Sequence, residues 1–300
     1  MRGVDGIEHP ARLTVGVVGA GRVGAVLGAA LAKAGHRVAG AYAVSEASRA
    51  RAADLLPGVP LTDVAGVVAG AELVLLAVPD DALAHLVTGL AATGAWQAGQ
   101  IVVHTSGRHG VGILEPAREQ HVLPLALHPA MTFTGTAMDL DRLIDCAFGV
   151  TADDALRPMA EALVLEMGGE PVWVDEADRT TYHLALAHGA NHLVTLTSEA
   201  MELLTRAGVA EPRRVLGPLM RAALDNALRL GDAALTGPVA RGDVGTVEDH
   251  LRELDRLSPE IRRTYVAMAR ATALRALDSG RLRPASAEPL LDTLADRSPQ

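Results

Sequence analysis

Histidines at two kinds of position in this sequence are suited to proton-transfer chemistry. His104 and His128 each end an apolar run, in the segments IVVHTSG and LALHPAMTF. His183, Ala187 and Asn191 recur every four residues in a long segment of helical character, which places them on one face of a helix. Because the pKa of imidazole lies near neutral pH, a histidine can act as a general acid. Each histidine could also be a buried structural residue, and the sequence leaves both interpretations open.

Other polar side chains are candidates for binding a substrate. Arg241 lies in the segment LTGPVARGD, where a loop could present its guanidinium to a carboxylate as a bidentate pair. The alternative is a loop that only connects two helices, with Asp243 as the N-cap of the second helix. We predict catalytic roles for His183, Asn191 and His128, and substrate contacts for Arg241, His104, Ser106 and His188.

Three glycines form the pattern G-x-G-x-x-G between the apolar run LTVGVV and a helical segment. Gly19 permits a tight turn, Gly21 lets the backbone approach a pyrophosphate, and Gly24 allows close packing of helix on strand. The free N–H groups at the helix N-terminus favour an anion. The pattern predicts a dinucleotide site, with Arg22 and Val23 in the first turn of the helix that faces the phosphates. A purely structural glycine turn is the alternative.

Residues after the second predicted strand distinguish NADP from NAD. An NAD site carries an acidic residue there, but the run HRVAGAYAVS ends in Ala43 and Val44, and Glu46 comes slightly late. Nearby hydroxyl and guanidinium groups suit a 2′-phosphate, so NADP is predicted and NAD is the less favoured cofactor. In the alternative interpretation, Arg49 and Arg51 form a solvated helix face. The predicted cofactor contacts outside the glycine loop are Ser45, Ser48, Arg49, Val78 and Pro79, the last two at the nicotinamide pocket.

An alternation of strands and helices must position these residues. Apolar runs suited to buried parallel strands occur at 13–18, 37–42, 73–78, 100–104, 122–127, 146–151 and 171–174. Helical stretches lie between them, near 22–35, 46–55, 79–91, 110–119 and 153–167. Only helical segments follow, at 177–207, 212–230, 243–256, 258–279 and 286–296. We predict an α/β doubly wound parallel sheet over 11–175 and an all-helical domain for substrate binding and dimerisation over 176–300.

Composition and charge exclude several classes of partner. The formal net charge of −9 and the aromatic content of 2% argue against nucleic acid. No apolar run is long enough to span a bilayer, and the N-terminal segment lacks the apolar core of a signal peptide. Cys146 is the only cysteine, so no disulfide can form within the chain. We expect a cytoplasmic protein that binds neither a membrane nor a metal ion.

The motifs occur in an order that is typical of a known family. The glycine loop, HTSG, HPAMTF, YHLALAHGANHL and LTGPVARGD together resemble a two-domain family with a Rossmann-like first half and a helical second half of unknown function. The resemblance covers about residues 12–280, and the family is similar to 6-phosphogluconate and β-hydroxyacid dehydrogenases and to an alternative type of ketopantoate reductase. β-Hydroxyacid dehydrogenases place a lysine four residues before the asparagine, where this chain has Ala187 before Asn191. A histidine is the natural replacement as proton donor.

The resemblance implies an oxidoreductase. It favours an NADPH-dependent reductase of a small 2-oxo acid, with ketopantoate, from pantothenate biosynthesis, as the best single substrate. A cyclic imine reductase of the pyrroline-carboxylate type is the second interpretation, and an NADP-binding regulatory protein without turnover is the third. The Ala/Leu-rich helices carry more apolar surface than one small bundle hides, so we also expect a homodimer.

Overall fold

The computed structural model of the chain describes residues 12–295. They form two compact units that divide between Ala190 and Asn191, within a long helix. The outer limits predicted for the two domains, residues 11 and 300, lie outside the described residues, as does most of the N-terminal segment discussed above. The predicted boundary near residue 175 follows the last strand, which ends at Trp173, and stays a prediction.

The first unit is built on a sheet of seven strands. Numbered along the chain, they are β1 (Thr14–Val18), β2 (Arg37–Tyr42), β3 (Leu73–Leu76), β4 (Ile101–His104), β5 (Leu123–Pro129), β6 (Ala147–Thr151) and β7 (Glu170–Trp173). Their order across the sheet is β2-β1-β3-β4-β5-β6-β7. All neighbouring strands are parallel except β5 and β6, which are antiparallel.

The reversed direction of β6 corrects the expectation of an entirely parallel sheet. A parallel crossover normally packs a helix of several turns on the sheet, but the connection between β5 and β6 contains only the short helix Met138–Arg142. The chain therefore returns beside β5 in the opposite direction. As a result, the carboxyl ends of β1 to β5 share one edge of the sheet, where open α/β sheets bind their ligands.

Side chains of the strands enter two hydrophobic cores, one on each face of the sheet. In β3, Leu73 and Leu75 belong to one core, whereas Val74 and Leu76 belong to the other. A strand that is buried on both faces needs a continuous apolar sequence rather than an alternating one. This requirement explains the apolar runs of the sequence and confirms the predicted doubly wound α/β fold.

Seven helices connect or cover the strands of this unit. They are α1 (Arg22–Lys33), α2 (Glu46–Leu55), α3 (Val64–Ala69), α4 (Asp80–Ala92), α5 (Glu115–Arg118), α6 (Met138–Arg142) and α7 (Arg157–Glu166). The sequence predicts neither α3 nor α6. Both helices are too short to show a helical period in their apolar residues.

The longest helix, α8 (Arg179–Arg206), begins in the first unit and continues into the second, as the helical pattern over 177–207 predicts. The second unit continues with α9 (Pro212–Leu230), α10 (Gly237–Arg241), α11 (Val244–Leu257), α12 (Pro259–Asp278) and α13 (Pro284–Thr293). Residues of α10 to α13 share a hydrophobic core. No strand occurs in residues 191–295, and no helix in the described part of the chain has the length and apolarity to cross a membrane.

The short helix α10 occupies most of the segment LTGPVARGD, where the sequence predicts a loop. Pro238 lies in its first turn, where the missing N–H costs little, and Gly242 ends it in the left-handed conformation with φ of 73°. Asp243 then caps α11 by accepting a hydrogen bond from a backbone N–H of its first turn. Arg241 is therefore the last residue of a helix, and its side chain is exposed.

Candidate functional site

The three glycines after β1 have distinct structural roles. Gly19 has φ of 96°, and a Cβ atom there would lie 2.5 Å from the carbonyl oxygen of Ala77. A Cβ atom on Gly24 would overlap the carbonyl oxygen of Gly19. At Gly21, by contrast, a Cβ atom would meet nothing within 4 Å. Packing requires the first and third glycines, whereas the second leaves open space beside the helix N-terminus.

The N-terminus of α1 is suited to bind phosphate. Gly21 is its N-cap residue and supplies no side-chain hydrogen bond, and the first turn contains no acidic residue. The N–H groups of the first turn have no acceptor within a helix, and the helix dipole adds a partial positive charge. A pyrophosphate of NAD(P) fits here, because Gly21 leaves room for it and Arg22 and Val23 are the first residues of the helix.

Val78 and Pro79 follow β3 beside the glycine loop. A Cβ atom on Gly19 would lie 3.2 Å from Cγ1 of Val78, so the two segments are in contact. Pro79 is the N-cap residue of α4. This placement is consistent with the predicted border of a nicotinamide pocket, which stays a prediction.

The two serines after β2 differ in their availability to a cofactor. Ser45 is the N-cap of α2, and its Oγ accepts the Ser48 N–H at 3.1 Å. Ser48 is buried, and its hydroxyl donates to the Ser45 carbonyl at 2.8 Å. This inward hydrogen bond corrects the prediction that Ser48 contacts the cofactor. The side chain of Ser48 stabilises the start of α2 and does not face solvent. Ser45 and Arg49 are exposed.

Two arginines meet beside the loop that follows β5. A Cβ atom on Gly135 would lie 2.8 Å from Cδ of Arg51 and 3.0 Å from Cγ of Arg22. Neither guanidinium has a carboxylate partner within 4.0 Å among residues 12–295. Two unpaired cations on neighbouring segments suit a phosphate. From the sequence, Arg51 is named only as part of a solvated helix face. No local pattern indicates that the loop after β5 reaches this arginine.

Asp139 holds this loop in place. Its buried carboxylate accepts N–H groups from Thr134 at 2.8 Å and from Gly135 at 2.7 Å. Burial would raise the pKa of Asp139, but these hydrogen bonds and the Thr134 hydroxyl outweigh it and lower the pKa below its ordinary value. The ionised carboxylate therefore fixes Gly135 against the two arginines.

His104, at the end of β4, shapes a loop instead of facing a substrate. Its Nδ1 accepts the Ser106 N–H at 3.2 Å, and its Nε2 lies 2.8 Å from the Gly110 carbonyl oxygen, to which it donates. The ring is fully buried, and burial lowers its pKa to about 4. Ser106 is also buried, and its Oγ accepts the His109 N–H at 3.3 Å. These contacts correct the expectation that His104 binds substrate, because both of its ring nitrogens already have partners. The hydroxyl of Ser106 keeps its own proton, and its contact with a substrate stays a prediction.

His128 and His183 come together at the carboxyl edge of the sheet. His128 belongs to β5 and His183 to the second turn of α8, and their ring centroids are 6.2 Å apart at an interplanar angle of 89°. A Cβ atom on Gly107 would lie 2.7 Å from Cδ2 of His183 and 2.9 Å from Nε2 of His128. The glycine of the HTSG motif is therefore needed to let both imidazoles approach one point.

The environment of His128 keeps its imidazole neutral. Burial lowers its pKa to about 4, and the positive charges of Arg179 and His183 act in the same direction, while Asp80 opposes them weakly. At neutral pH His128 is a hydrogen-bonding group and not an imidazolium. His183 is only partly buried and has no hydrogen bond within the described residues of the first unit.

Two side chains of the site escape prediction from the sequence, Arg179 and Tyr182. Arg179 is 1% exposed and donates from Nε to the Thr151 hydroxyl at 2.8 Å and from Nη2 to the Ala126 carbonyl at 3.0 Å. Its Nη1 is buried without a hydrogen bond. Tyr182 places its hydroxyl 3.0 Å from Nδ1 of His128. An arginine and a tyrosine at the start of a long helix carry no local signal of burial.

The remaining predicted residues lie on exposed surfaces. His188 is exposed on α8 within the first unit. Asn191 begins the second unit on the same helix, and Arg241 ends α10; both are exposed. Their contacts with a substrate stay predictions.

Family models match both halves of the chain. Residues 3–129 match a Rossmann-like domain, and residues 146–272 match a domain of unknown function, DUF2520. No curated protein matches the sequence.

Solved structures with this fold include several oxidoreductases. A Bacteroides fragilis protein assigned as an NADP oxidoreductase is 24% identical, with a TM-score of 0.71 over 87% of this chain and 98% of that one. An imine reductase variant from Myxococcus stipitatus in complex with NAD+ is 18% identical, with a TM-score of 0.56 over 95% and 99% of the two chains. A pyrroline-5-carboxylate reductase from Coxiella burnetii is 16% identical, with a TM-score of 0.53 over 89% and 98%. The chain is thus similar to a Rossmann-like domain in its N-terminal half and to DUF2520 in its C-terminal half.

Proposed function

We propose that this protein is an NAD(P)-dependent reductase, with NADPH as its cofactor and a small 2-oxo acid, ketopantoate first, as its substrate. The observation that carries the proposal is one edge of the sheet that combines two features. It has an uncapped helix N-terminus beside the open space at Gly21, and it has the imidazoles of His128 and His183 converging on Gly107. The fold of the similar oxidoreductases supports the same class of reaction.

In this proposal, bound NADPH supplies a hydride to the ketone carbon. The carbonyl oxygen then takes a proton from His183, and the product is a 2-hydroxy acid. A pKa of about 4 leaves His128 without an acidic proton near neutral pH, which favours His183 as the donor. We retain Asn191 as a hydrogen-bond donor to the substrate and Arg241 as its carboxylate ligand on the basis of the sequence.

A second candidate is the reduction of a cyclic imine. Two of the structures with this fold, the imine reductase and the pyrroline-5-carboxylate reductase, act on such substrates by name. An iminium already carries its proton, so this reaction needs no strong acid. A pH–rate profile without a pKa near neutrality distinguishes it from reduction of an oxo acid.

We also propose that a second copy of the chain covers the exposed helices. α9 buries only Leu216, while Leu219 is 64% exposed and Leu228 is 80% exposed. Large apolar side chains at this exposure are typical of an interface.

The deciding experiment measures cofactor binding and turnover separately. NADPH and NADH are titrated into the protein by calorimetry. Consumption of each is then followed by its absorbance with a panel of 2-oxo acids and cyclic imines. Turnover of ketopantoate or a related acid supports the leading proposal, and turnover of imines alone supports the second. Binding without any turnover supports a regulatory protein, and absence of binding rejects all three.

A further inference from the structure

The hydroxyl of Tyr182 is within hydrogen-bond distance of one ring nitrogen of His128. The oxygen lies 3.0 Å from Nδ1 of His128, and the two rings meet edge to face at 89°. A Cβ atom on Gly149 would lie 2.5 Å from the Tyr182 oxygen, so the hydroxyl packs closely against β6. Nδ1 of His128 is the only side-chain hydrogen-bond partner of this hydroxyl among the described residues, so the phenol proton is directed to Nδ1.

A histidine that accepts at Nδ1 carries its proton at Nε2 when neutral. The Nε2 of His128 is the atom that faces Gly107, on the side of the ring nearest His183. We propose that Tyr182 is a positioning residue that holds His128 as the neutral Nε2–H tautomer, so that His128 donates a hydrogen bond to the substrate carbonyl oxygen while His183 provides the proton. This inference rests on the proposed reductase function.

The charged groups around His128 support a neutral ring. Arg179 is buried without a carboxylate partner among the described residues, and its guanidinium lies 5.9 Å from the ring centroid of Tyr182. Its charge opposes a second positive charge on His128, and a charge on His183 acts in the same direction. Asp80 is the group that favours the imidazolium, and its effect is the smallest of these. Burial of the ring has the largest effect on the pKa of His128, and it also favours the neutral form.

A neutral imidazole can stabilise developing negative charge on oxygen without giving up its proton. This division of roles explains why the site brings two imidazoles to one point. His183 is partly exposed and has no hydrogen bond among the described residues that would hold its ring. His128, held by Tyr182, retains one tautomer throughout the reaction.

The test is the tautomer of His128 in the whole protein, read from its ring nitrogens by ¹⁵N NMR, with the signals assigned by a His128→Asn variant. The wild type should show protonation at Nε2 only. Tyr182→Phe should show a mixture of Nε2–H and Nδ1–H forms, because the donor to Nδ1 is lost. Tyr265→Phe is the matched control, since Tyr265 makes the same contact with Nδ1 of His250 at 2.9 Å in the second unit. It should leave the His128 signals unchanged.

Kinetics test the consequence of the tautomer. Tyr182→Phe should lower kcat about 10-fold, the loss expected for one misdirected hydrogen bond, with the KM for NADPH unchanged. Tyr265→Phe should keep the wild-type kcat. An Nδ1–H tautomer in the wild type, an unchanged tautomer in Tyr182→Phe, or a shifted tautomer with unchanged kcat overturns the inference. If no substrate is turned over, the proposed function fails, but the NMR result still decides whether Tyr182 sets the tautomer.

Discussion

Gly24 packs directly on the backbone of Gly19, with no room for a side chain between them. A Cβ atom on Gly24 would overlap the Gly19 carbonyl oxygen and lie 2.9 Å from Cβ of Ala77. We expect Gly24→Ala to lower the free energy of unfolding by about 1–3 kcal/mol, because the backbone of the turn must shift. Urea denaturation measures the change. A variant as stable as the wild type would contradict the close packing.

Gly21→Ala should separate cofactor binding from stability. The added methyl group enters open space, so the free energy of unfolding should change by less than about 0.5 kcal/mol. The same methyl group occupies the space assigned to the pyrophosphate, so the affinity for NADPH should fall. Calorimetric titration together with urea denaturation tests both halves of the expectation. Wild-type NADPH affinity in this variant would place the phosphates elsewhere.

Arg51 should contribute to the preference for NADPH more than Arg49 does. Arg51 lies against Gly135 beside Arg22, whereas Arg49 is exposed on α2. Loss of one charge-assisted hydrogen bond to the 2′-phosphate should raise the Kd for NADPH about 10-fold or more in Arg51→Ala, with little effect on NADH. Titration of both cofactors into Arg49→Ala and Arg51→Ala compares the two. A larger effect at Arg49 would support the assignment made from the sequence.

His183→Ala should reduce turnover by about 10²–10⁴-fold, the range for loss of a general acid. NADPH affinity should change little, because the proton donor acts on the substrate. His85→Ala is a suitable control, since His85 is exposed on α4 and has no hydrogen bond or ion pair among the described residues. The measurement is NADPH consumption with the best oxo acid found. Undiminished turnover in His183→Ala would remove this residue from the mechanism.

The stability of the first unit should fall on acidification because of His104. Its pKa is about 4 in the folded protein, against an ordinary value of 6.5. Between these pH values the unfolded chain binds more protons, so the free energy of unfolding decreases as the pH falls from about 6.5 to about 4. For a fully buried histidine this corresponds to about 3 kcal/mol.

Urea denaturation at a series of pH values tests this expectation. At neutral pH, His104→Gln should have a lower free energy of unfolding than the wild type. On acidification, this free energy should fall less in the variant than in the wild type. His85→Gln should follow the wild-type slope. His128 has a similarly lowered pKa, so a smaller slope remains in His104→Gln. Identical slopes for all three proteins would show that His104 does not titrate in the way its burial requires.

A homodimer should depend on the exposed apolar side chains of α9. We expect light scattering with size exclusion to give the mass of two chains for the wild type and of one chain for Leu228→Glu. The reason is that a buried carboxylate at an apolar interface costs several kcal/mol. Thr205→Glu provides a control on an exposed position of α8. A wild-type monomer would contradict the proposed dimer.

The fold could be predicted from the sequence because its signals are local. Strands that are buried on both faces must be apolar throughout, and a glycine is required wherever the turn after β1 has no room for a Cβ atom. Both constraints act within a few residues and leave a readable pattern. The helices of several turns were predictable for the same reason. By contrast, α3, α6 and α10 are too short to show a helical period in their apolar residues.

The composition of the candidate site was decided only by the tertiary structure. Whether His104 or His128 has a free nitrogen depends on partners distant in the sequence, such as Tyr182 for His128. The approach of Gly135 to Arg51 likewise depends on how the chain returns after β5. Residue type and spacing showed which side chains could do chemistry at the carboxyl edge of the sheet. Burial and long-range hydrogen bonds, which no local pattern encodes, decided which of them are free to do it.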